Sequence, residues 1–138
     1  MNTEAYERIF PQIDDGNREY FEGLEAGELR LQRCDVDGTF RFPAAPVCPV
    51  CLSSASTWVP VSGEGTVWSW IVMHQRYFEA FEDQLPYNVV FVRLAEGPLM
   101  MSTAVNPEHL RIDAPVRLRI ERMGGHAVPE FEVAAAAD

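Results

Sequence analysis

The sequence predicts a mainly β protein, with an N-terminal helix, a zinc-ribbon-like segment and a C-terminal five-stranded barrel of the OB type. Three observations lead there. All cysteines fall in one segment, as C-x-x-C at 48–51 preceded by Cys34 at the head of C-x-x-D. Five short runs rich in β-branched and aromatic residues follow between 65 and 133, separated by Gly, Pro and Asn. One stretch near the start carries its apolar residues at helical spacing. The chain, 138 residues long, reads as one domain able to bury roughly two thirds of its unfolded surface. It divides into a helical segment at 1–28, a ribbon-like segment at 29–60, a barrel at 61–133 and a disordered tail at 134–138.

Taken in order, "DDGNREYFEGLEAG" (14–27) puts Tyr20, Phe21 and Leu24 on one side, with acids near the start and Gly27 as a stop. This predicts a short amphipathic helix that either faces the core or docks on a partner. "ELRLQR" alternates as a strand running into Cys34. The barrel strands are expected at 65–74, 87–94, 98–105, 115–121 and 127–133. "AEGP" (95–98) suits a hairpin turn, and Asn106 with Pro107 suits one helical turn. In 115–121, Val116, Leu118 and Ile120 share one face while Arg117, Arg119 and Glu121 share the other, where the arginines meet solvent, a partner or an anion. "GEG" at 63–65 lacks the third glycine of a dinucleotide loop and precedes a strand, so it reads as a turn.

Charge excludes several function classes. A net charge of −10 repels polyanions, so no nucleic-acid partner is expected. All eleven basic residues are arginine, which rules out Schiff-base chemistry and a P-loop lysine. The polar, acidic start "MNTEAYERIF" does not read as a signal peptide, and no apolar run reaches membrane-spanning length, so a soluble cytoplasmic protein with no membrane partner is expected. The histidines His74, His109 and His126 are scattered, none beside a nucleophile. His74, at a strand end, is a structural residue or, in an enzymatic reading, a base.

The cysteine segment carries the sharpest chemistry. Two loops that each give ligands at positions one and four hold tetrahedral zinc, because a tight turn aims both side chains at one ion. "CPVC" meets this with Cys48 and Cys51. "CDVDG" keeps the length and glycine but offers Asp37 oxygen where sulfur is expected. The candidate metal ligands are therefore Cys34, Asp37, Cys48 and Cys51, with zinc as cofactor. Three thiols in a loop that keeps its shape without metal are the alternative.

In this order, "YFEGLEAGEL", "LRLQRC", "FRFPAAPVCPVC", "WVPVSGEGTVWSWIVMH", "LPYNVVFVRLAEGPLMMS" and "APVRLRIE" resemble domain of unknown function family thirty-five over residues 18–133. The resemblance implies a rubredoxin-like zinc ribbon joined to an OB-fold. It further implies a non-catalytic accessory subunit that assembles with a thiolase-like enzyme, a thiolase or aldolase acting on acyl-CoA, in steroid or aromatic catabolism, and that helps to guide the CoA thioester. Asp37 and Leu52 depart from the family pattern, which has cysteine and glycine there. Other members act with acyl-CoA hydratases, but no hydratase domain stands beside these parts, so hydratase activity is not expected. A CoA thioester wants arginines beside aromatics. The expected CoA or partner contacts are His74, Arg76, Tyr77, Phe78, Phe81 and Tyr87 in the long connection after the first barrel strand, with Arg117 and Arg119. The same aromatics could instead seal the barrel end. A free-standing OB-fold module for a small ligand or single strands is the competing class.

Overall fold

The first helix, α1 (Thr3–Ile9), lies within the expected helical segment at 1–28 but ahead of the one helix expected there; the computed structural model describes residues 2–136. Its start is fixed by Asn2, whose side chain accepts the Ala5 N–H at 3.0 Å. The second helix, α2 (Arg18–Glu25), is shorter than the expected 14–27. Asp14 and Asn17 explain the difference: their side chains bind the backbone N–H groups of Gly16, Asn17 and Asp14, which holds 14–17 in a turn. At the other end Gly27, at φ 88°, closes the helix, with Glu28 N–H donating to the Gly23 carbonyl and Gly27 N–H to that of Leu24.

A three-stranded antiparallel sheet follows, of β1 (Arg30–Cys34), β2 (Phe40–Arg41) and β3 (Ser56–Pro60), in the order β2-β1-β3. The remaining strands are β4 (Glu64–Met73), β5 (Tyr87–Leu94), β6 (Leu99–Ser102), β7 (Pro115–Met123) and β8 (His126–Val133). They form one antiparallel sheet in the order β6-β5-β4-β7-β8. This sheet curls until its edges meet. Val105 N–H donates to the Phe131 carbonyl at 2.9 Å and Phe131 N–H to that of Thr103 at 3.0 Å, giving the OB-fold.

Strand alternation chooses the core. Val90, Val92 and Leu94 point inward from β5 and join Val67, Met100, Phe131 and Val133. Leu24 of α2 and Leu29 and Leu31 at the start of the small sheet enter the same cluster, so the ribbon is seated on the barrel by shared apolar burial. Two short helical turns, Glu79–Gln84 and Pro107–His109, occupy the connections after β4 and β6. The first, with α1, makes a separate small cluster of Ala5, Tyr6 and Ala80. Residues 134–136 are exposed and irregular, and the rest of the expected tail, 137–138, lies outside the described residues. Among the described residues no helix is long and apolar enough to cross a membrane.

Candidate metal centre and binding face

The two cysteine loops are built alike. In the first, Gly38 N–H donates to the Cys34 carbonyl at 3.0 Å and Cys34 N–H to the Thr39 carbonyl at 2.8 Å. In the second, Leu52 N–H donates to the Cys48 carbonyl at 3.0 Å and Cys48 N–H to the Ser53 carbonyl at 2.9 Å. Each turn reverses through a left-handed residue, Gly38 at φ 78° and Leu52 at φ 65°. The loops therefore bring Cys34, Asp37, Cys48 and Cys51 together, with one ligand atom from each lying within 4.8 Å of the others.

Their spacing tests the fit. A zinc ion bonded to sulfur at about 2.3 Å sets tetrahedral neighbours roughly 3.8 Å apart. Cys34 Sγ and Cys51 Sγ are separated by 3.5 Å, and Cys48 Sγ lies 3.5 Å from Asp37 Oδ2. The other carboxylate oxygen, Oδ1, accepts the Thr39 N–H at 2.9 Å, which orients the group and leaves Oδ2 facing the thiols. The four residues fit zinc with an aspartate ligand.

Without a cation these groups do not ionise alike. The Thr39 N–H, together with Cys34, holds the Asp37 carboxyl well below the usual carboxylate range. The Cys51 N–H lowers the Cys48 thiol, helped by the N–H of Val50. The Ser53 N–H favours the Cys51 thiolate, but burial and the neighbouring Cys34, Cys48 and Asp37 prevail and raise it to about 11. Four such groups cannot all carry negative charge side by side without a cation among them. Cys34 and Cys48 are buried and Cys51 and Asp37 face solvent, so the centre lies at the surface with its inner half covered.

The expected contact residues fall into three places. Phe81 and Tyr87 turn inward, their rings 5.6 Å apart, and Phe81 also meets Tyr6 of α1 at 6.2 Å and Phe78 at 6.1 Å. His74, Arg76, Tyr77 and Phe78 stay exposed, with Arg76 near Glu82 at 3.6 Å. Arg117 and Arg119 stand apart on β7, Arg119 paired with Glu132 and Arg117 lining a polar depression with Glu64 and Glu132. His109 is near Glu108, and His126 pairs with Glu7 and stacks on Phe10.

Two features escaped sequence reasoning. The outer face of β4, β5 and β6 exposes Trp68, Ile71, Phe91 and Met101, with the Trp68 and Phe91 rings 6.1 Å apart. Alternation could have found Phe91, because its neighbours Val90 and Val92 face inward; Trp68 sits at a bulge between Val67 and Ser69, which no pattern announces. An apolar cleft between the N-terminal helices and the barrel is the second.

Two family models cover most of the chain. The one described as the rubredoxin-like zinc ribbon domain of ChsH2 matches residues 21–57, and that of the ChsH2 C-terminal OB-fold domain matches 58–121. A protein of Thermomonospora curvata described as a probable enoyl-CoA hydratase alpha subunit is 37% identical over 110 residues, covering 78% of this chain and 34% of that protein. A DUF35 domain-containing scaffold protein of Pyrococcus furiosus is 33% identical over 81 residues, covering 57% of this chain and 58% of that protein. The chain thus spans about a third of the first relative's length and under two thirds of the second's. Among solved structures, a chain of the Ltp2-ChsH2(DUF35) aldolase superposes with a TM-score of 0.79 at 34% identity, covering 90% of this chain and 98% of that one.

Proposed function

The chain belongs to the DUF35 family, in which a ChsH2-type zinc ribbon is joined to an OB-fold, and from that we propose that it is a non-catalytic accessory subunit of a thiolase-like enzyme, a thiolase or aldolase, acting on acyl-CoA. The observation that carries this reading is the 34% identity to a chain of an aldolase assembly, sustained along 98% of that chain. The Pyrococcus relative is likewise described as a scaffold protein.

The chain's own chemistry supports it. Its three thiols stand at the ligand positions of one centre, and a cysteine bound to zinc is not free to act as an acyl acceptor. His126 is engaged by Glu7 and Phe10. The apolar outer face of β4, β5 and β6 is a surface of the kind that partners cover. The unpaired thiols suit a reducing compartment, and we place the protein in the cytoplasm. Of the contacts expected at the barrel end, His74, Arg76, Tyr77 and Phe78 are exposed enough to meet a partner or a CoA thioester, whereas Phe81 and Tyr87 hold the loop in place. The hydratase descriptions belong to relatives of which the chain spans about a third, and hydratase activity is not part of this reading.

Purification of the tagged chain from its native host, with mass spectrometry of what elutes at stoichiometric amounts, tests it. A thiolase-fold protein whose acyl-CoA activity falls when this chain is omitted is expected. Elution alone as a monomer, or robust thiolysis or aldol cleavage by the chain itself, would overturn the proposal.

A further inference from the structure

The described residues form two apolar clusters that do not merge. The larger fills the barrel; the smaller joins α1 to the turn at 79–84. Between them lies a cleft of about 610 Å³, within the range of small-molecule sites. Phe10 and Phe21 form the helical wall, their rings 5.5 Å apart, and Phe42, Phe81, Met101 and Val128 complete it. The lining is mostly apolar, and among the described residues Glu130 is its one charged side chain. Glu130 of β8 is half-buried in the lining, and among the described residues it has no hydrogen-bond or ion-pair partner. Arg119, opposite it in the β7–β8 register, is paired with Glu132 instead. Burial and the nearby Glu121 hold the Glu130 carboxyl above its ordinary value. Among the described residues no Arg or His lines the cleft, and the chain has no lysine, so a negatively charged ligand finds no side-chain counter-charge there.

We infer that this cleft is a binding site for a drug-sized, largely apolar molecule that has no negative charge and carries an N–H or O–H donor for Glu130. The walls supply the affinity by removing apolar surface from water, and the lone carboxylate fixes the orientation. The site is separate from the metal centre. It requires neither a thiolase-like partner nor a thioester, so it stands or falls apart from the proposed function.

Fluorescence titration of the full zinc-loaded chain tests the site with two related probes. N-phenylnaphthylamine is uncharged and carries one N–H; anilinonaphthalene sulfonate is its anionic counterpart. The first is expected to saturate at one equivalent with blue-shifted emission, and the second to bind about tenfold more weakly. Glu130→Leu narrows that difference by weakening the first probe several-fold. Val128→Trp fills the inner wall and abolishes binding. Met101→Trp alters an exposed strand position at the mouth, which spares the fold, and weakens binding about tenfold. No saturable binding, equal affinity for both probes, or unchanged binding by a folded Met101→Trp chain would overturn the inference.

Discussion

Gly38 and Leu52 hold the same place in two turns of matching hydrogen-bond pattern, each donating its N–H at 3.0 Å to the carbonyl of the first cysteine of its own loop, and each in the left-handed region. Only one of them is glycine. A left-handed conformation costs a residue with a Cβ about 1–2 kcal/mol, while glycine costs about 0.5–1 kcal/mol in unfolded-state entropy. Leu52 is 72% exposed, so its side chain contributes little burial. Leu52→Gly is therefore expected to leave stability unchanged or raise it by up to about 1 kcal/mol, and Gly38→Ala to lower it by about 1 kcal/mol. Thermal melts of the two zinc-loaded variants check the opposite signs; a destabilised Leu52→Gly would show that the side chain has a role of its own.

The same pair of turns makes Asp37 the member that sets metal affinity. Oxygen is the harder donor in a centre otherwise built of sulfur. Asp37→Cys is expected to tighten zinc by about tenfold or more and Asp37→Ala to loosen it by a similar factor, read by competition with a coloured chelator. Stripping the metal from the native chain should lower its melting temperature. A folded native chain, made without chelator and holding no zinc, would contradict the fit.

One pH-dependent contribution to stability lies at the contact between α2 and the β7–β8 hairpin. Glu25 accepts the Ala127 N–H at 3.0 Å and pairs with Arg122 at 2.7 Å, and these two partners hold its carboxyl below the ordinary value. A depressed folded pKa stabilises the protein above the unfolded pKa of about 4.3, and that contribution fades as pH falls through the folded value. Melting curves of native chain and Glu25→Gln should thus differ most near neutrality and converge in strong acid. A constant gap at every pH would mean that the mutation acts through packing.

Inside the barrel, Asn88 bridges β5 to the crossing that closes the sheet. It is buried, and its amide accepts from Ala104 N–H at 2.7 Å and donates to the Ala104 carbonyl at 3.0 Å. Asn88→Ala leaves both backbone groups without partners away from water, at a cost of about 3 kcal/mol. Denaturant unfolding measures it.

The legibility of these features in the sequence follows their physics. The barrel strands could be read because Val116, Leu118 and Ile120, or Val90 and Val92, alternate without interruption, and the turns at 95–98 and 106–109 carry their own Gly, Pro and Asn. The metal ligands could be read because a tight loop demands a fixed spacing. The seven-residue α1 could not: it buries only Ala5 and Tyr6, too little to establish a period, although Asn2 at its cap was a usable signal. Nor could β2 and β3, one of two residues and the other ending on Pro60, since both exist by pairing to β1. The second helix begins four residues later than its sequence pattern predicts, because Asp14 and Asn17 compete for the backbone. Glu130 gave no signal, because its isolation depends on Arg119 choosing Glu132.

The loop after β4 separates two roles that look alike in sequence. Phe81 packs against Tyr6, Phe78 and Tyr87, so Phe81→Ala should cost about 2 kcal/mol of stability, less than for a fully buried ring. Tyr77 and Phe78 are 63% and 49% exposed, so Tyr77→Ala and Phe78→Ala should leave the melting temperature of the free chain within about a degree or two. If the loop meets a thiolase-like partner or its thioester, those two variants weaken the complex several-fold in calorimetry while folding normally. A loop that only seals the barrel leaves binding unchanged in both exposed variants, while Phe81→Ala destabilises the chain in either case. The comparison therefore assigns the loop's aromatics residue by residue.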